Sequence, residues 1–293
     1  MGGLANQLAA HRGFDAESIE QVRAIWQAPD MATKHGLKAV DLFDAIERGE
    51  VKAVWIMATN PVVSLPQSQK IKRALKRCEL VIVSDICADS DIAQYADILL
   101  PAAGWGEKQG MVTNSERMMS RQRAFLPMRG ESRPDWWAIS KVGQALCRLM
   151  DVSDGFGYHS EYEIFKEHIQ LSAINKHAPQ LFDLSKLSTL TENDYQQWQP
   201  MQWPLGGERP FADGAFATPS GRANLIVPEA IDLETPRGHQ EFILNTGRDR
   251  DQWHTMTRTG YVPSLTQKRS SLRFTSTHSP LKEQSLKRSN LLN

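Results

Sequence analysis

Lys52-Ala53-Val54-Trp55-Ile56-Met57, Leu80-Val81-Ile82-Val83 and Asp97-Ile98-Leu99-Leu100-Pro101 decide the fold. Each is a short, unbroken apolar run, the pattern of a strand buried on both faces rather than one that alternates between core and water. Between the first two lies Gln67 to Arg77, a basic stretch with amphipathic helical spacing. Between the second and third, Asp89 to Tyr95 reads as a short helix capped by Asp89 or Ser90. The resulting β-α-β-α-β order implies an α/β fold: a doubly wound parallel sheet with right-handed crossovers. Ligands of such sheets sit at the carboxyl ends of the strands. Those ends are Thr59-Asn60, Ser84-Asp85 and the loop from Gly104 to Lys108.

Working outward, Ala16 to Trp26 and Lys38 to Arg48 carry apolar residues at helical spacing, with Leu42, Ala45 and Ile46 on one face. Lys108 to Arg123 mixes β-branched and long side chains and suits an irregular hairpin or extended segment. Pro134 to Met150 predicts a helix with proline at its first turn and an apolar face of Trp137, Leu146, Leu149 and Met150. These elements place an α/β domain over residues 1–150. Residues 151–215 are polar and rich in Pro, Gln and Trp, which suggests a linker with one helix near Tyr162 to Ile169. From Phe216 on, short runs bounded by Pro and Gly, Leu225-Ile226-Val227 and Phe242-Ile243-Leu244 among them, predict the start of a β-rich, barrel-like domain over 216–267.

The 293 residues, 41% hydrophobic and 23% charged, describe an ordinary globular chain of roughly two domains. Net charge is zero, so nothing electrostatic favours nucleic acid or an anionic membrane as partner. That balance hides an asymmetry. Lys268, Arg269, Arg273, Lys282, Lys287 and Arg288 stand against Glu283 alone after residue 267, leaving the preceding body acidic. Cys78, Cys87 and Cys147 form no CxxC pair, so neither a zinc nor an iron–sulfur framework is legible. Free thiols fit a reducing compartment, and no apolar run approaches the roughly 20 residues of a membrane span. The cytoplasm is the expected location.

Several polar residues stand where chemistry is expected, each with an ordinary structural alternative. Asp85 ends a buried strand. Its carboxylate can accept from two adjacent donors, such as ribose hydroxyls or the N1–H and N2–H of guanine, or it can cap the next helix. Asn60, before Pro61, suits a ligand edge or a turn held extended by the proline. Lys108, in Trp105-Gly106-Glu107-Lys108-Gln109-Gly110, can meet a phosphate or pair with Glu107. Asn114-Ser115-Glu116-Arg117 suits a polar turn or a ligand edge. Asp135, beside Trp136-Trp137, suits the start of a helix. Beyond the run Phe242-Ile243-Leu244 comes Asn245-Thr246-Gly247-Arg248-Asp249-Arg250-Asp251-Gln252-Trp253-His254-Thr255-Met256-Thr257-Arg258, dense in donors for a large polyanionic ligand.

The order of these pieces is more specific than any one of them. Thr59-Asn60-Pro61, Ser84-Asp85, Ala96-Asp97-Ile98-Leu99-Leu100-Pro101-Ala102-Ala103, Glu107-Lys108-Gln109-Gly110 and Thr113-Asn114-Ser115-Glu116-Arg117 together resemble the molybdopterin oxidoreductases. The resemblance spans roughly residues 1–267, and the loop from Arg250 to Gly260 is most similar to cytoplasmic assimilatory nitrate reductase catalytic subunits. It implies a molybdenum bis(molybdopterin guanine dinucleotide) cofactor and reduction of nitrate to nitrite, with electrons supplied by a ferredoxin, a flavodoxin or a NADH-dependent partner. On the same resemblance, Asn60, Ser84, Asp85, Lys108 and Asp135 match positions that hold one guanine dinucleotide arm. Thr246, Gly247, Arg248, Trp253, His254 and Thr255 match the stretch that closes over the cofactor.

Two departures qualify the resemblance. The family opens with a cysteine-rich [4Fe–4S] segment and a domain that supplies the ligand to molybdenum, and neither is legible here. The expectation is therefore a partial catalytic subunit with no catalytic or metal-ligating residue of its own and no independent turnover. Residues 268–293 lack both strand alternation and family likeness, which predicts an atypical, disordered tail of the kind read out of frame past a truncation. Two rivals stay open: a formate dehydrogenase-type member of the same superfamily, and a non-catalytic cofactor-binding module or gene remnant.

Overall fold

The computed structural model describes residues 7–176, 180–206, 209–216, 218, 220–228, 251–253, 256 and 258–266, and the backbone of Leu272–Phe274 and Gln284–Leu286. The chain divides into two units, Met1–Val227 and Pro228–Asn293. In the first, α1 (Ala16–Trp26) and α2 (Ala39–Glu47) precede β1 (Ala53–Met57). The single turn α3 (Pro61–Ser64) and α4 (Ser68–Arg77) lead into β2 (Leu80–Asp85), and a 3-10 turn at Ala93–Tyr95 leads into β3 (Ile98–Pro101). A hairpin of β4 (Gly110–Thr113) and β5 (Met118–Gln122) follows, then α5 (Asp135–Met150), α6 (Glu161–Ser172), α7 (Glu192–Gln196) and β6 (Met201–Gln202).

The first three strands form a parallel sheet in the order β1-β2-β3, with Val54 opposite Val81, Ile82 opposite Ile98 and Ser84 opposite Leu100. The expected α/β class and parallel sheet are present. Side chains alternate across the strands, so Ile56, Val81 and Val83 meet α2 and α4 in a core with Phe43, Ile46, Ile71, Ala74 and Leu75. The opposite face is less covered than unbroken apolar runs predict: Trp55 and Met57 are half-buried, and Ile98 remains 45% exposed.

Asp89 to Tyr95 departs from the expected helix. Asp85 already takes the Ser90 hydroxyl at 2.8 Å and the Cys87 N–H at 3.2 Å, so Ser90 is drawn into a turn and only Ala93–Tyr95 winds, as a 3-10 turn. The α5 helix forms where proline predicts it, but its buried side is not the predicted one. Trp137, Leu146, Leu149 and Met150 are exposed, while Ser140, Gly143 and Cys147 are buried. Gly143 explains the choice: the Phe156 ring lies so close that a Cβ there would sit 2.5 Å from it. The small-residue side of the helix is the one onto which that ring fits.

The largest correction concerns residues 151–215, read in the sequence as a linker. They build a second core, in which Phe165, Ile169, Leu171, Phe182, Leu184, Tyr195 and Trp198 pack with Val22 of α1 and Met119 of β5. The β6 strand pairs with β5, turning the hairpin into a three-stranded antiparallel sheet. Arg121 ties the layers together, its guanidinium 4.1 Å from the Tyr195 ring centre and donating to Gln109 and Gln196. Leu225, Ile226 and Val227 are a further correction: they form no strand and are 85–91% exposed. In the second unit Leu272–Phe274 pairs antiparallel with Gln284–Leu286, so the tail is not without strands, and Leu272 and Phe274 supply the period-two apolar spacing. Phe242-Ile243-Leu244 lies outside the described residues.

Two outcomes follow from the second core. Trp198 is 4% exposed and donates its indole N–H to the Met119 carbonyl at 3.2 Å. Trp198→Ala is expected to cost about 3–5 kcal/mol in urea unfolding, whereas a true linker residue would cost almost nothing. His11 and His168 flank the Phe182 ring, with ring centres 4.9 and 5.0 Å away. Desolvation lowers both pKa values, and His168 is lowered further by His11. The folded state therefore resists protonation more than the unfolded one. Stability is fully present above the unfolded value of about 6.5 and is lost as pH falls below it. Urea midpoints measured from pH 7.5 to 5 are expected to fall, and the fall to flatten in His168→Gln.

Candidate functional site

The parallel sheet delivers three chain ends to one edge. After β1 the chain turns through Ala58, whose N–H bonds the Ser84 carbonyl at 3.3 Å, and reaches Asn60 at the start of α3. Asn60 is 9% exposed. Its amide donates to Asp91 at 3.4 Å, while its side-chain oxygen is buried with no hydrogen-bond partner. At the end of β2, Ser84 is 4% exposed and accepts the Trp55 indole N–H at 2.9 Å. Asp85 follows, half-buried and bonded to Cys87 and Ser90 as described. The turn Ser90-Asp91 thus touches both Asp85 and Asn60 and sets the two strand ends side by side.

The segment before α5 extends this edge. Ala102 bridges Arg133 in parallel fashion, with the Arg133 N–H on the Pro101 carbonyl at 3.1 Å and the Ala103 N–H on the Arg133 carbonyl at 2.8 Å. A cleft of about 90 Å³ opens between them, lined by Ser84, Leu100, Glu131, Arg133, Asp135 and Trp137, among others. The Lys108 ammonium reaches Asp135 at 3.4 Å, with both side chains about a quarter exposed. Glu107 is not its partner, because the Glu107 carboxylate takes the Gly104 N–H at 2.7 Å. Asn114 forms a polar turn instead of a ligand edge, its side-chain oxygen accepting the N–H groups of Glu116 and Met118 at 2.9 Å.

Of the residues expected at a site, the structure brings Asn60, Ser84, Asp85, Lys108 and Asp135 to this one edge. Trp55, Glu131 and Arg133 join them, and no sequence signal singled them out. The Arg133-Pro134-Asp135 run before a helix was the available hint for Arg133, while Trp55 was hidden inside an apolar strand. In the second unit Trp253 is 62% exposed beside a turn where Gln252 donates to the Leu265 carbonyl and accepts from Thr259. Thr246, Gly247, Arg248, His254 and Thr255 lie outside the described residues.

The donor and acceptor inventory bears on what such an edge can hold. A guanine nucleotide needs a carboxylate or amide oxygen for its N1–H and N2–H, and cations or N–H groups for its phosphates. Each Asp85 oxygen has spent one lone pair and keeps another. The buried Asn60 oxygen lacks a donor, as does the buried Ser132 hydroxyl before α5. Lys108 and Arg133 provide cationic donors. The residues present therefore fit a nucleotide-bearing cofactor. Among the described residues, no group of three or more His, Cys, Asp or Glu side chains is placed to hold a metal ion.

Comparison with known proteins gives the family. The family model described as molybdopterin oxidoreductase matches residues 3–145. The chain is similar to the nitrate reductase of Shewanella frigidimarina, with 45% identity over 276 residues covering 90% of this chain and 29% of that protein. It is similar also to the nitrate reductase of Klebsiella oxytoca, with 43% identity over 274 residues covering 91% and 31%. A formate dehydrogenase subunit alpha of Methanocaldococcus jannaschii is 29% identical over 267 residues, covering 90% and 37%. The chain spans under a third of the length of the two nitrate reductases. The chain belongs to the molybdopterin oxidoreductase family.

Proposed function

We propose that this chain contributes one guanine dinucleotide-binding edge to a nitrate reductase of nitrate assimilation whose cofactor is molybdenum bis(molybdopterin guanine dinucleotide). The observation that carries the reading is the set of under-used acceptors and cations at the sheet edge: the partnerless Asn60 oxygen, the spare lone pairs of Asp85, and Lys108 beside Asp135. In this reading Asp85 and Asn60 accept from the guanine edge. Ser84 and Lys108 donate to ribose or phosphate oxygens, and Asp135 holds the Lys108 ammonium until the ligand takes it. Thr246, Gly247, Arg248, Trp253, His254 and Thr255 are proposed as further cofactor-binding residues, on the sequence resemblance alone. When bound, the molybdenum–pterin group supplies two-electron oxygen-atom transfer, and the residues of this chain bind and orient it.

Nitrate is preferred to formate because the similarity to nitrate reductases exceeds that to the formate dehydrogenase subunit. Electrons are proposed to come through a [4Fe–4S] cluster from a ferredoxin, flavodoxin or NADH-dependent partner, in the cytoplasm. Neither nucleic acid nor membrane is a partner in this scheme. No helix among the described residues is long and apolar enough to cross a membrane.

GMP is the minimal probe of the edge. It is expected to raise the melting temperature of the chain where AMP does not. Asp85→Asn is expected to lower GMP affinity at least tenfold and to erase the preference over AMP, since a two-donor base contact is worth about 1–3 kcal/mol. A chain indifferent to GMP would sink the nucleotide reading. For the substrate, an intact enzyme carrying this segment is expected to reduce nitrate with reduced methyl viologen; turnover of formate alone would transfer it to the formate dehydrogenase class.

A further inference from the structure

Ser84 Oγ sits at an unusual junction. It is buried at the end of the central strand, lines the 90 Å³ cleft, and accepts the Trp55 indole N–H at 2.9 Å. The pairing register makes this contact possible. Trp55 lies opposite Ile82 and Met57 opposite Ser84, so Trp55 and Ser84 project from the same face of the sheet on adjacent strands. An indole N–H can only donate. It therefore takes one lone pair of Oγ and turns the hydroxyl proton away from Trp55. Among the described residues no hydrogen bond uses that proton, although the side chain is buried.

We propose that Trp55 is a positioning residue for nucleotide binding: by donating to Ser84 Oγ it fixes the hydroxyl as a donor aimed at an oxygen of the bound nucleotide. The inference rests on the reading of this edge as a nucleotide site and adds to it a residue that never touches the ligand. A free serine hydroxyl rotates and serves as donor or acceptor alike. With the indole in place, Ser84 offers the cleft a proton, which suits a ribose or phosphate oxygen. Glu131 and Asp135, in the same cleft, are acceptors, so the Ser84 proton complements them.

A double-mutant cycle on GMP binding tests this, with the full chain and isothermal titration. One neutral hydrogen bond is worth about fivefold in affinity. Trp55→Phe and Ser84→Ala are each expected to weaken GMP binding about fivefold, and the double variant to bind no worse than Ser84→Ala. A merely structural Trp55 would weaken binding by the same factor whether or not Ser84 is present, so multiplying losses overturn the proposal. Trp55→Phe binding like the unaltered chain also overturns it. Absence of GMP binding by the unaltered chain instead defeats the underlying nucleotide reading, and this proposal with it. Should Trp55→Phe fail to fold, 3-benzothienylalanine at position 55 keeps the shape and removes only the N–H; the same fivefold loss is then expected, and no loss overturns the proposal.

Discussion

The parallel pairing of β2 with both of its neighbours is the constraint on which the rest depends. In an antiparallel sheet the residues that follow β1 and β2 would leave from opposite edges, and Asn60 and Asp85 would stand a strand length apart. Parallel register sends both to one edge, and the Ala58 N–H on the Ser84 carbonyl continues that register beyond the last paired residues. The same pairing extends to β3 and then, through Ala102 and Arg133, to the segment that starts α5. Asp135 comes within reach of Lys108 because the chain returns to the sheet at this point. Burial of Ile56, Val81 and Val83 against α2 and α4 holds the register, since a one-residue slip would turn these side chains away from their core.

The elements of this half were legible because local and global signals agreed. Lys52 to Met57 and Leu80 to Val83 are apolar throughout, and Gln67 to Arg77 switches to helical period between them. The position of Asp85 at a strand end follows directly, but its contacts do not, because a carboxylate that can cap or bind looks the same in sequence. Here it caps no helix: it anchors the turn from Cys87 to Ser90 and keeps capacity to bind. Lys108 was ambiguous for a similar reason. Its partner is Asp135, while the adjacent Glu107 turns its carboxylate to the Gly104 N–H.

The second core is illegible in the sequence for a different physical reason. Phe165, Phe182, Tyr195 and Trp198 are large apolar groups set singly in polar sequence, on short helices and turns that repeat no period long enough to detect. Their association relies on aromatic contacts across long sequence separations and on Arg121, whose two terminal guanidinium nitrogens donate to Gln109, Gln196 and backbone carbonyls instead of a carboxylate, while its Nε is buried without a partner. The exposed side of α5 shows the converse failure. Leu146, Leu149 and Met150 look like a core stripe, yet the Phe156 ring selects the face that carries Gly143.

Under the proposed nucleotide reading, the energetics of the edge favour exchange over simple addition. A partly exposed ion pair such as Lys108–Asp135 contributes about 1 kcal/mol, whereas a hydrogen bond to a charged group is worth about 1.5–3 kcal/mol. A phosphate that captures Lys108 therefore gains more than it breaks, and releases Asp135 to accept from an N–H donor. Leaving the buried Asn60 oxygen without a donor costs about 1–3 kcal/mol, which a ligand N–H returns on binding. Asp85 supplies acceptor capacity without surrendering its bonds to Cys87 and Ser90, so the loop it anchors need not rearrange. The scaffold side chains stay in place while Lys108 changes partner. That division places selectivity in the fixed acceptors, Asp85 and Asn60, and leaves the charge interaction adjustable.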